Sequence, residues 1–191
     1  MMELVVHAWP GPVPVLRDGL FVIGVETSAL RERAREQVRL AARTALAAVL
    51  DEDASAVTIA STPGQPPHVS IDSSARTIGC SFAHEDGYAL AAFNLNGAVG
   101  VDLMRVQDIP DWQAVAHDYL GAEATAALQA TEAKQLPQDF ARAWVRHEAL
   151  LKCAGRQLSE WAGAPPVAAI AHLDLQSPDS VALVAYIPKP G

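Results

Sequence analysis

Residues 88–103 read YALAAFNLNGAVGVDL, and this stretch decides the fold. Two apolar runs, 88–94 and 98–103, flank Asn96-Gly97, a pair favoured in tight hairpin turns. The pattern predicts a β-hairpin, and it also marks a boundary in the chain. Upstream, short strands are expected at 4–9 and 20–25, parted by a Gly/Pro loop. A long helix then runs to about Leu50, with Thr27 or Ser28 as its expected cap. Its apolar positions, among them Ala34, Val38, Ala41 and Ala45, recur three or four residues apart. Strands follow at 56–60 and 78–83, around a loop at 61–72 rich in Pro, Gly and Ser. Downstream, helices are expected over 112–120, 122–130 and 138–154, the last ended by Gly155. Strands 167–175 and 181–187 close the chain as a second hairpin. The order is strand, helix, strands, then strand, helices, strands. This reads as an α+β chain of two similar halves, 1–97 and 98–191, with no close sequence repeat between them.

The composition narrows the function classes. The chain has 191 residues, half of them apolar, enough for one sizeable core or two small packed halves. A net charge of −8 argues against nucleic acid as the main partner, because phosphate backbones call for clustered Lys and Arg. No apolar run reaches the roughly 18 residues of a membrane span, and the N-terminus lacks the basic leader of a signal peptide. Cys80 and Cys153 have no metal-type spacing, so a reduced, cytoplasmic protein is expected. Walker, dinucleotide-binding, nucleophile-elbow and zinc motifs are absent from the sequence.

Two acids carry the chemistry. Asp102 lies at the end of the strand Val99-Gly100-Val101-Asp102, and Glu148 follows 46 residues later. An acid on so apolar a strand either points into solvent or is satisfied by a metal or a cation. Glu148 and Lys152 are four apart, on one helix face. That spacing suits an ordinary helix ion pair of about 0.2–0.5 kcal/mol, or a functional pair. With only Lys134, Lys152 and Lys189 in the chain, a Lys at this position stands out. Mg²⁺ takes oxygen ligands, commonly one or two carboxylates completed by phosphate and water. Asp102 and Glu148 would meet that need, with Lys152 to meet phosphate, which suggests chemistry on a phosphate ester. His84 reads as structural or as a donor to phosphate from a strand end. Arg31, Arg35, Arg39 and Arg43 form a stripe interleaved with Glu32 and Glu36. The stripe reads as a solvated, salt-bridged face or as a basic edge for an acidic partner.

Four segments, in order, resemble the 4′-phosphopantetheinyl transferases, in particular the larger single-chain class typified by the surfactin-synthetase activator. They are Gly64-Gln65-Pro66, Ser81-Phe82-Ala83-His84, Gly100-Val101-Asp102 and the helix motif from Trp144 through Glu148 to Lys152. The resemblance spans about residues 28–175. It implies a pseudo-dimeric fold and a monomer that builds its own site. It also implies Mg²⁺-dependent transfer of phosphopantetheine from coenzyme A to a Ser of an acyl or peptidyl carrier protein, releasing adenosine 3′,5′-bisphosphate. Carried over, Asp102 and Glu148 hold Mg²⁺, Glu148 accepts the Ser proton, and Lys152 neutralises a phosphate oxygen. Ser81, His84 and Gln65 lie along coenzyme A. Arg142, Arg146 and the Arg31–Arg43 stripe are candidate carrier contacts.

The chain departs from the family pattern at three positions. Met104 stands where the larger class has a second acid, His147 replaces a Lys, and Gln65 replaces a basic residue. These departures motivate the alternative of a relative that binds coenzyme A or a carrier without transfer. No counterpart is evident for the lysines that meet the 3′-phosphate, and Arg17, Arg31 or Arg33 are the substitutes to consider.

Overall fold

The computed structural model describes residues 2–28, 30–62, 65–72, 76–165, 168–175 and 179–189. Gly64, the side chain of Arg31 and the expected strand start at Val167 lie outside them. The strands are β1 (Met2–Ala8), β2 (Leu20–Glu26), β3 (Val57–Ala60), β4 (His68–Ile71), β5 (Gly79–Glu85), β6 (Tyr88–Asn94), β7 (Val99–Arg105), β8 (Ala169–Asp174) and β9 (Ser180–Tyr186). The helices are α1 (Arg31–Leu50), α2 (Trp112–Val115), α3 (Gly121–Gln129) and α4 (Leu136–Cys153). A π-helical turn, Ala116–Leu120, joins α2 to α3.

Seven strands form one large sheet in the order β5-β6-β2-β1-β8-β9-β7, and β3 pairs with β4 apart from it. Within it, β2, β6 and β5 make an antiparallel trio with β6 in the centre. Strands β7, β9 and β8 make a second trio with β9 in the centre. Each trio is built from a strand, a connection containing its long helix, and two closing strands, so the two share one topology. β1 joins them: Met2–Val5 pair with β8, and Val6–Ala8 pair with β2, both in parallel.

One sequence expectation is overturned here. The runs at 88–94 and 98–103 are both strands, but they do not pair with each other. Both edges of β6 are already occupied, by β2 and by β5, so no edge is left for β7. The hairpin partner of β6 is β5, turned at Asp86-Gly87. Asn96-Gly97 instead carries the chain from one trio to the other. The Asn94 carboxamide fixes this crossing by donating to the carbonyls of Ala98 (3.1 Å) and Ile187 (2.8 Å). Two smaller corrections follow. The expected loop at 61–72 contains β4, whose alternation of buried Val69 and Ile71 with His68 and Ser70 is a half-buried strand pattern. The long helix begins at Arg31, later than expected; Ser28 Oγ accepts from Leu30 N–H at 3.2 Å but supplies no side-chain cap to the helix.

Period-two alternation sorts the core into layers. On β2 and β6, Phe21, Ile23, Ala91 and Phe93 face α1, with Phe21 and Phe93 stacked at 4.8 Å. Leu20, Val22, Leu90 and Ala92 face the centre, where they meet Val99, Val101 and Leu103 of β7 and Val184 of β9. These strands are buried on both faces, which is why they read as near-continuous apolar runs. Each fully buried large apolar side chain contributes about 1.5–3 kcal/mol. On β7 the alternate positions Gly100, Asp102 and Met104 face the helices. Gly100 is required there: a Cβ would overlap the backbone of Ala149 and Cys153, so only glycine lets α4 lie this close to β7.

Candidate functional site

β5 and β7 end the strand order on opposite sides, yet side chains tie them together. Ser81 Oγ accepts from Val101 N–H at 3.1 Å, and Glu85 Oε1 accepts from Arg105 N–H at 3.0 Å. Lys152 Nζ donates to Val101 O at 3.1 Å and to Phe82 O at 3.4 Å, one carbonyl on each strand. The matching seam, between β2 and β8, is filled by β1. The β5–β7 seam therefore has polar side chains where the other has an inserted strand.

The acids lie at this seam. Asp102 projects from β7 toward α4 and is 8% exposed. Its Oδ1 accepts from Lys152 Nζ at 2.7 Å. Burial pushes the Asp102 carboxyl above its ordinary range, with Lys152 opposing. Glu148, one turn before Lys152 on α4, is half-buried. Its carboxyl is raised by burial and then by the charge of Asp102, again with Lys152 opposing. Lys152 thus pairs with Asp102, and the Glu148 carboxyl lies close enough to feel both charges. α4 ends just beyond in a Schellman motif. Gly155, at φ +67°, donates to Lys152 O, and Arg156 N–H donates to Leu151 O at 2.9 Å.

A cavity of about 430 Å³ opens against this face, lined by Gln65, Ser81, Glu148, Lys152, Arg156 and Gln157 among others. A second cavity, of about 630 Å³, shares Gln65, Pro66, Pro67, Cys80 and Lys152 and extends to Arg76 and Ala98. Together they make a long cleft along the seam.

Residues 98–180 match the family model of the 4′-phosphopantetheinyl transferase superfamily. A Synechocystis sp. protein that carries a provisional 4′-phosphopantetheinyl transferase name is 27% identical over 122 residues. That match covers 64% of this chain and 49% of the relative, so the chain spans about half the length of the curated protein it resembles. The chain is similar to this superfamily over that segment.

Among the residues expected at a phosphopantetheinyl transferase site, Asp102, Glu148 and Lys152 come together, and Gln65 and Ser81 line the same cleft. Ser81 Oγ is also a tie between the strands. His84 stands exposed on β5, outside the lining of both cavities. Met104 packs with Ile109 and Trp112 in the α2–α4 cluster, so the position of the second acid is apolar packing. His147 points away from Glu148, into a third cavity with Arg146 and Trp161, where burial lowers its pKa and favours the neutral ring. Arg17 donates to Glu3 O at 2.6 Å and Arg33 is exposed on α1; neither lines the cleft. Arg142, on α4, pairs with Asp139 at 3.2 Å; the Nε of Arg43 is buried, so the arginine stripe on α1 is not a uniform free face.

Sequence reasoning missed Arg156 and Arg76 as the arginines lining the cleft. The position of Arg156 directly after the helix-ending Gly155 was the available signal. No group of three acidic, His or Cys side chains able to hold a metal occurs among the described residues. None of the described helices is long and apolar enough to cross a membrane. Cys80 and Cys153 are both buried and unpaired.

Proposed function

We propose that the protein transfers 4′-phosphopantetheine from coenzyme A to a serine of an acyl or peptidyl carrier protein, with Mg²⁺, as a monomer of two duplicated halves of the larger single-chain class. The observation that carries this reading is the Asp102–Lys152 ion pair with Glu148 beside it, Glu148 and Lys152 lining the seam cleft. The donor set fits a magnesium ion. Two hard carboxylates favour a cation, and their small number leaves coordination positions for phosphate and water. When bound, the ion would neutralise charge that develops on the pyrophosphate.

Within the cleft, the adenosine end of coenzyme A runs toward Arg76 and the pyrophosphate lies beside Glu148 and Arg156. The carrier hydroxyl oxygen attacks the β-phosphorus and forms a new P–O bond. The bond from that phosphorus to the bridging oxygen breaks, and adenosine 3′,5′-bisphosphate leaves. The hydroxyl proton passes to Glu148. Burial raises its pKa, which makes it a better base than an ordinary glutamate. Lys152 holds Asp102 in place, and apolar Phe82 lines the cleft wall.

The test is a mass measurement. Purified protein, apo carrier protein, coenzyme A and Mg²⁺ should yield a carrier heavier by one phosphopantetheine group. No mass gain across fatty-acid, polyketide and peptide carriers would overturn the reading.

A further inference from the structure

Helix α4 serves three surfaces. Glu148 and Lys152 line the seam cleft, and Val145 and Ala149 are buried in the core. Arg146, His147 and Leu150 line the third cavity, of about 340 Å³. Leu120 of the π-helical turn, Pro165 and Ile170 of β8 complete its largely apolar wall. None of its lining residues lines either part of the cleft.

The polar groups of this cavity are few. His147 is 8% exposed, and its Nε2 is buried with no hydrogen-bond partner among the described residues. Buried polar atoms are nearly always paired, so an orphan on a cavity wall marks a place for a ligand atom. A lone water would find few other polar partners against such a wall. Burial favours the neutral ring, which can donate one N–H to an oxygen. Arg146 is exposed at the rim and makes no ion pair among the described residues. The lining includes no Asp or Glu, so the only full charge there is positive.

Trp161 forms part of the rim and is held in place from both sides. Its backbone N–H donates to Asp118 O at 2.6 Å. Its indole lies against Gly121, where a Cβ would collide with the ring. The ring centroid is 5.6 Å from that of His147, yet the residue keeps 39% exposure. An aromatic surface is thus fixed beside the orphaned imidazole nitrogen, ready to pack on an apolar chain.

We propose that this cavity binds a small apolar monocarboxylate, its chain against Leu120, Leu150, Ile170 and Trp161 and its carboxylate accepting from His147 Nε2 and from the Arg146 guanidinium. One cation and one orphaned nitrogen suit a single carboxylate, and the apolar wall excludes a more highly charged phosphate. The site is separate from the cleft and does not depend on the transferase reading.

Calorimetry on the full chain tests it, with octanoate, 1-octanol and acetate as probes. Octanoate should bind saturably at one site, at least about 10-fold tighter than 1-octanol, which lacks the charge, or acetate, which lacks the chain. His147→Leu should weaken octanoate by about 10-fold or more, the loss of a buried hydrogen bond. Arg146→Gln should weaken it by about 2- to 5-fold, because an exposed charge is screened. Added salt should weaken octanoate on the wild type and much less on Arg146→Gln. Arg146 is exposed, so its variant should keep the melting temperature and remain informative if His147→Leu folds poorly. Coenzyme A should not displace octanoate. No saturable octanoate binding, equal affinity for 1-octanol or acetate, or unchanged affinity in the variants overturns the proposal. Displacement of octanoate by coenzyme A also overturns it, because the probe would then lie in the seam cleft.

Discussion

Replacing Lys152 by Met removes the cation paired with Asp102 and keeps most of the side-chain volume. Asp102 is 8% exposed and its Oδ1 is 2.7 Å from Nζ, so the carboxylate is left buried without its partner. Removing one member of a fully buried pair costs about 3–5 kcal/mol. The Lys152 side chain is 31% exposed, so water screens part of that. The carbonyls of Phe82 and Val101 lose a donor as well. We expect a loss of about 2–3 kcal/mol at neutral pH, or roughly 4–12 °C in melting temperature for a chain of this size.

The sign of the pH dependence follows from Asp102. Burial already raises its folded pKa above 3.8, and Lys152 works against that rise. Without Lys152 the folded pKa climbs further, so the stability lost is present above that pKa. It is regained as pH falls and Asp102 takes up a proton. Urea titrations of wild type, Lys152→Met, Asp102→Asn and the double variant, each at neutral and mildly acidic pH, measure this. The double variant should be less destabilised than the sum of the singles. If Lys152→Met unfolds within about 0.5 kcal/mol of wild type, with no narrowing of the gap at low pH, the ion pair does not tether Asp102 and the reasoning is wrong.

Other perturbations have equally definite outcomes. Glu148→Gln should abolish carrier modification. It should also stabilise the protein at neutral pH, because a carboxyl whose folded pKa is raised from 4.5 gives up stability as pH rises through that pKa; equal melting curves for variant and wild type would contradict this. Ser81→Ala strips Val101 N–H of its buried acceptor and should cost about 1–3 kcal/mol in a denaturant melt. A drop in coenzyme A affinity with unchanged stability would instead make Ser81 a direct ligand. Gly100→Ala drives a methyl into the Ala149 and Cys153 backbone and should displace α4. The loss should be about 1–3 kcal/mol or more in stability and on the order of 100-fold in transfer rate, read by melting and by the carrier assay.

Much of the architecture was legible because it is local. Apolar spacing located α1 and α4, and Gly155 located the end of α4. The alternation of Val99, Val101 and Leu103 with Gly100, Asp102 and Met104 fixed which β7 side chains share a face. Asp102, Glu148 and Lys152 were singled out for their spacing, and they do meet.

What the sequence could not hold was anything decided by competition for a partner. Asn96-Gly97 is a good local turn signal, yet β6 gives its edges to β2 and β5, because apolar faces there are buried on both sides. β1 pairs with both β2 and β8, a choice that chain order does not encode. The family resemblance implies a phosphate contact for Lys152. Only the folded chain shows its donors turned to Asp102 and to carbonyls 70 and 51 residues away. Spacing along a helix or strand sets which face a side chain occupies; where that face points, and which charge answers it, is set by long-range burial that only the tertiary structure completes.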